Sequence, residues 1–178
     1  MSELVHLRPV AESELDLLEL LHEDPVEASE YGFFGFQDPG GLRRRFADGG
    51  LIAEQHGLLA VAVGRAGEAG EFIGDVSWRR EQTGPSSYSW GIGVGLLARA
   101  RGHGYGTRAQ QLLAEYLFAH TQANRIAAET ETSNIAEQRS LEKAGFTREG
   151  TLRGAAFRAG KWRDMVSYSI VRADLDPG

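Results

Sequence analysis

Residues 98–107 read ARARGHGYGT, with glycines at 102, 104 and 106 and a helical pattern starting directly behind them. A strand-like run, SYSWGIGVGLL, stands before them. A helix start leaves its first backbone N–H groups without partners, and the positive end of its macrodipole lies there. Glycines tolerate positive φ and let the backbone come close to a bulky group. Strand, glycine turn and helix start together make an anion site of the kind that holds phosphate. The plain alternative is a turn that only closes a strand–helix connection. Arg99, Arg101, His103 and Arg108 make this segment basic within a chain of net charge −6.

That net charge argues against a nucleic-acid surface. There is no cysteine, so disulfides, thiol nucleophiles and thiolate metal sites are out. The five histidines, at 6, 22, 56, 103 and 120, lack ligand spacing, so no metal site is expected. The start, MSELVHLRPVAESEL, has no basic-then-apolar leader pattern, and runs such as LLAVAV are too short to span a bilayer. The expectation is a single cytoplasmic domain over residues 1–178 that binds neither nucleic acid nor membrane.

LVHLRPV reads as a strand, and SELDLLELLH as a helix capped by Ser13. DPGGLRRRF offers Asp38 as a cap and Pro39 at the first helical position. LIAEQ, a His56-Gly57 turn and LLAVAV read as a hairpin. FIGDVSWRR and SYSWGIGVGLL are strands around a polar loop, EQTGPS. In TRAQQLLAEYLFAH, residues Leu112, Leu113, Tyr116, Leu117 and His120 make one helical side. RIAAETET alternates, putting Ile126, Ala128 and Thr130 on one face and Glu129 and Glu131 on the other. IAEQRSLEKA is a helix with Gly145 at its left-handed end. FTREGTL, AAFR and KWRDMVSYSIV close the chain as strands, the last two joined around Ala159-Gly160. The order predicts an α/β (α+β) fold: a mostly antiparallel sheet of six or seven strands with about four helices and one strand–helix–strand crossover. The sheet should splay where the strand ending near Leu96 meets that of Glu129.

Two nucleotide-binding readings fit poorly. A phosphate-binding P-loop ends in Gly-Lys-Ser/Thr, and Gly106-Thr107 has no lysine. GVGLLA loosely matches a dinucleotide fingerprint, with Glu129 or Glu131 as the distal acid. Its glycines sit inside a strand pattern, however, and the first half does not alternate strand and helix.

RGHGYG, Arg101 to Gly106, resembles the Arg/Gln-x-x-Gly-x-Gly/Ala motif of the Gcn5-related N-acetyltransferase (GNAT) family. The preceding strand, the following helix and SNIAEQRSLEKAGF fit in order. EKAGFTREGTLR and KWRDMVSYSIVRADL look like the branch that acetylates ribosomal-protein N-termini and its small-molecule-modifying relatives. The resemblance implies a GNAT fold splayed at an acyl-CoA site, with acetyl-CoA as donor. It implies backbone contacts from Val94, Gly95 and Leu96 to the pantetheine arm. The pyrophosphate would lie on Gly102, His103, Gly104, Tyr105, Gly106 and Thr107, with Arg101 or Arg108 adding charge. Asn134 matches the family asparagine that contacts the arm, and Asn134-Ile-Ala-Glu137 also reads as a capping box.

Acyl transfer to an amine needs a base, an oxyanion donor and a proton for the leaving thiolate. Glu129 matches a glutamate that serves as base in some relatives, with Glu131 on the same face. A backbone N–H near Val94 would polarise the thioester carbonyl. Many relatives carry an acidic tyrosine where this chain has Leu141, and the ribosomal-protein branch a serine where it has Glu137. A glutamate of that branch falls on Ala156. Ser140 and Tyr168 are substitutes for the acid, and catalysis by positioning alone is the alternative. EYGFFGF, with Tyr31, Phe33, Phe34 and Phe36, reads as an acceptor-gripping loop or as a plug between helices and sheet. The implied activity is acyl transfer to a primary amine of a protein N-terminus or small molecule, by a monomer or homodimer. Alternatives are a longer donor such as succinyl-CoA, or a CoA-binding module without catalysis.

Overall fold

The structure is a computed structural model and describes residues 4–175. The ends of the expected domain, residues 1–3 and 176–178, lie outside the described residues. One seven-stranded sheet runs in the order β1-β2-β3-β4-β5-β7-β6. The strands are β1 Leu4–Arg8, β2 His56–Gly64, β3 Glu71–Gly84, β4 Ser87–Leu96, β5 Arg125–Glu131, β6 Thr147–Arg158 and β7 Lys161–Val171. Helices α1 Leu15–Glu23, α2 Ser29–Gly32 and α3 Gly41–Ala47 fall between β1 and β2. Helix α4, Tyr105–His120, makes the crossover from β4 to β5, and α5, Ile135–Lys143, joins β5 to β6. The mostly antiparallel sheet is as the pattern predicts, but the crossover is not single: α5 carries the chain from β5 to β6, parallel to β5, and β7 then inserts between the two.

All neighbouring strands are antiparallel except β4 and β5. That parallel pair has only two rungs, Trp90↔Ile126 and Gly91↔Ala127. Beyond them β4 stays with β3 as far as Gly74↔Leu96, and β5 stays with β7 as far as Glu131↔Met165. The two halves of the sheet therefore part in a wedge. Gly91, Gly93 and Gly95 of β4 offer no side chains for cross-strand packing in this stretch.

Alternation along the strands divides the core by face. Leu59, Val61, Val76, Ile92 and Ile126 pack with Leu113, Leu117 and Phe118 of α4. Leu58, Ala60 and Phe72 pack with Leu15, Leu18 and Leu21 of α1. Among the described residues, no helix is long and apolar enough to cross a membrane.

Several local expectations are corrected. Ser13 caps nothing; it lies in a 3-10 turn, Glu12–Glu14, where the Glu14 carboxylate accepts the Ala11 N–H and the Arg8 guanidinium. Helix α3 starts after Gly40 at φ +74°, while Asp38 turns to Arg44. LIAEQ is not a strand, because β1 and β3 already occupy the edges of β2; only a bridge from Ile52 to Gly57 remains. EQTG continues β3, since pairing with β4 outweighs its polar composition. FTREGTL and AAFR form one strand with two register shifts. The buried side of α4 is Ala109, Gln110, Leu113, Ala114, Leu117 and Phe118, rotated from the expected one, so Tyr116 and His120 are exposed. Small alanines fit against the sheet where the larger Tyr116 does not.

Candidate active site

The wedge opens into a cavity of about 840 Å³. One wall is the β4 edge from Ile92 to Leu96, freed from β5 beyond Gly91. The other is β5, which contributes Ala128, Glu129, Thr130 and Glu131. The foot is the glycine turn, where Gly102 and Gly104 both have φ +80°. Gly104 ends the turn as the α4 N-cap, and the first helical bond runs from the Arg108 N–H to its carbonyl. Among the described residues, the N–H groups of 102–107 have no acceptor. They form the unpaired positive end of a sixteen-residue helix.

Of the positions singled out in the sequence, Val94, Gly95, Leu96, Arg101, Gly102, Gly104, Gly106, Thr107, Glu129 and Asn134 all line this cavity. The side chains of His103 and Tyr105 do not; they stack on each other, with ring centroids 5.5 Å apart. Arg101 lines the cavity, but its guanidinium donates to the carbonyls of Leu96 and Glu27 and so ties the loop after β4 to the segment after α1. Arg108 turns away toward Gln111 and Glu115. Arg139 and Lys143 of α5 line the cavity instead. Sequence reading missed them because their helical turn meets the glycine loop only in three dimensions.

Glu129 and Glu131 both reach the cavity, but in different states. Glu129 is exposed. Glu131 is buried and accepts from Arg158 Nε at 2.5 Å; that bond, the largest influence, holds its carboxyl below the usual range against the cost of burial. Tyr31 stacks near Arg158, 5.6 Å from guanidinium carbon to ring centroid, and donates its hydroxyl to the Ser133 carbonyl. Tyr31 and Phe34 line the cavity, whereas Phe36 is 86% exposed. The aromatic segment is therefore not a core plug.

On α5, Asn134 Oδ1 accepts the Glu137 N–H at 3.3 Å, one half of the expected capping box. The other half is absent: the Glu137 carboxylate turns inward and accepts from Gln110 of α4. Ser140 donates to Gln110 Oε1 at 3.1 Å and lies 3.0 Å from the Thr107 hydroxyl. Tyr168, a candidate acid from sequence, is wholly buried and donates to Glu142, outside the cavity.

Sequence reading also missed Asp75 and His22. Asp75 of β3 is 2% exposed, and its Oδ1 lies 3.2 Å from His22 Nε2 at the end of α1. The contact lacks hydrogen-bond alignment, so Oδ1 has no partner in that strict sense. The His22 side chain keeps 44% of its surface exposed; its partial covering lowers the pKa, but the pull of Asp75 outweighs this and the net shift is upward. The one signal in sequence was a lone carboxylate inside the apolar run FIGDVSW. Among the described residues, no cluster of three or more His, Asp or Glu side chains is placed to hold a metal ion.

A family model described as an acetyltransferase (GNAT) domain matches residues 5–147. The chain is 31% identical over 71 residues to an uncharacterized N-acetyltransferase of Bacillus subtilis (strain 168), YnaD, covering 40% of this chain and 42% of that protein. Among solved structures, a spermidine N-acetyltransferase from Vibrio cholerae in complex with CoA and spermine superposes with a TM-score of 0.81 at 16% identity, over 97% of this chain and 98% of that one. Mycobacterium smegmatis RimJ in complex with CoA-disulfide superposes with a TM-score of 0.77 at 23% identity, over 96% and 83%. The wedge, the glycine turn at its foot and the family model agree, and the chain belongs to the acetyltransferase (GNAT) family.

Proposed function

We propose that the chain is an acyl-CoA-dependent N-acyltransferase that moves an acetyl group from acetyl-CoA to a primary amine. The observation that carries this reading is the row of unpartnered N–H groups from Gly102 to Thr107 at the foot of an open sheet wedge. In this reading the pyrophosphate lies on that row, with Arg139 and Lys143 adding charge. The pantetheine arm runs as an extra strand against the free edge at Val94, Gly95 and Leu96, and Asn134 meets it from the other side.

Glu129 then takes a proton from the acceptor ammonium, directly or through a water. The free amine attacks the thioester carbonyl, and a backbone N–H near Val94 holds the developing oxyanion. A second reading of the base is His22, favoured by the Asp75 carboxylate at 3.2 Å, which would stabilise the charged ring. The acceptor is a small polyamine-like molecule or a protein N-terminus. The spermine complex of the Vibrio neighbour supports the first and the likeness to RimJ the second. The protein works as one cytoplasmic domain, as monomer or homodimer, without nucleic acid or membrane.

The test is release of CoA thiol from acetyl-CoA and succinyl-CoA in the presence of polyamines, aminoglycosides and peptides. Amine-dependent release with a matching acylated product is expected. Preference for succinyl-CoA would replace the donor. Tight CoA binding with no amine-dependent release would replace the enzyme by a binding module.

A further inference from the structure

Glu137 lines the cavity from α5, and among the described residues no cation holds its carboxylate by an ion pair or hydrogen bond. Its Oε1 accepts from Gln110 Nε2, and the Gln110 carbonyl accepts from Ser140 in turn. This chain fixes the carboxyl in the crevice between α4 and α5, with Gln110 only 2% exposed. Among the described residues, Oε2 takes no hydrogen bond, so it is the oxygen free to carry a proton toward the cavity that Glu137 lines. The backbone of Glu137 is bonded to Asn134, the residue read above as meeting the pantetheine arm.

We propose that Glu137 is the general acid that protonates the departing CoA thiolate. The proposal rests on the acyltransferase reading. When the tetrahedral intermediate collapses, the carbon–sulfur bond breaks and its electron pair stays on sulfur. The Oε2–H bond of Glu137 then breaks, the proton joins sulfur to give the thiol, and Glu137 is left as carboxylate. The nitrogen gives up two protons in all, one to the base before attack and one to solvent as the intermediate collapses. One proton from solvent restores Glu137 and the base releases its own, so the balance is thioester plus ammonium to thiol, amide and one proton.

Burial pushes the Glu137 carboxyl up to about 7, against a smaller lowering by the Gln110 amide. Around it stand neutral Gln110 and Thr107 of α4 and Asn134 and Ser140 of α5. Arg139 and Lys143 of its own helix, Arg101 beyond the β4 edge, and Glu129 and Glu131 across the wedge line the same cavity, and none is hydrogen-bonded to it. An acid with a pKa near the working pH is the efficient choice for this transfer.

Two measurements test the assignment. In the ligand-free wild type, side-chain carboxyl ¹³C NMR should show Glu137 titrating near 7. In the folded Glu137→Gln variant, kcat should fall by roughly 10²-fold, the decline of kcat on the alkaline side should vanish, and acetyl-CoA affinity should stay within about threefold. Titration in the ordinary carboxylate range overturns the proposal, even if the variant does not fold. So does a variant with wild-type kcat, or one slowed equally at every pH with the alkaline limb intact. A wild type that transfers no acyl group at all contradicts the acyltransferase reading itself, which separates the two failures.

Discussion

Arg158 of β6 and Glu131 of β5 form a buried ion pair within one half of the parted sheet, Nε to Oε1 at 2.5 Å, with the two side chains 9% and 6% exposed. Arg158→Ala would leave the Glu131 carboxylate covered and without its hydrogen-bonded cation. The expected loss is about 3 kcal/mol of unfolding free energy by urea denaturation at neutral pH. The Glu131 pKa is lowered in the fold, so its contribution is complete above the unfolded carboxylate value and is lost as pH falls through the folded one. The gap between wild type and variant should therefore narrow in acid. An unchanged midpoint at neutral pH would mean that the pair contributes nothing net.

The pair also changes what the two glutamates can test. Glu129→Gln should lower kcat by roughly 10²–10⁴ with little change in acetyl-CoA affinity, and the loss should shrink as pH rises and free amine becomes abundant. Glu131→Gln is not a neutral control, because it breaks the bond to Arg158 and lowers stability as well. If Glu129→Gln keeps wild-type rates from about pH 6 to pH 9 while His22→Gln does not, the base is His22.

His22 should titrate above its ordinary value in the wild type. Partial burial and the Arg45 charge both lower its pKa; Asp75 and, more weakly, Glu23 raise it. Asp75→Asn removes the main raising partner, so the imidazole pKa should fall. Proton NMR of the imidazole measures this directly. In the wild type the stabilising contribution of the pair is present below the unfolded histidine pKa and fades as pH rises through the folded one. A His22 that titrates alike in both proteins would show that Asp75 does not govern it.

What the sequence revealed and what it hid divide along chain distance. The glycines at 102, 104 and 106 and the helix behind them are contiguous, so the turn and its unpaired helix start are legible from spacing alone. The crossover and the splay follow because one helix-linked strand pair sits among antiparallel neighbours. Pairings between distant segments are not legible. Asp75 meets His22, Glu131 meets Arg158, and Glu137 turns from its own cap to Gln110 only once the sheet and helices have packed. Caps and strand ends failed for a related reason: at Ser13, Asp38 and EQTG, tertiary partners overrode local preference.

If the glycine turn holds the donor's phosphates, calorimetric titration of acetyl-CoA will separate wild type from Gly106→Asp. Position 106 suits the test because a Cβ there meets only Leu96 at 3.5 Å and Ser140 at 3.8 Å, ordinary contacts that leave the fold intact. Gly104, at φ +80°, would add backbone strain to the result. A carboxylate at 106 sets negative charge against the N–H row that would receive the pyrophosphate. Affinity should be at least about tenfold weaker in a variant that melts like the wild type. Equal affinity in the two folded proteins would contradict it.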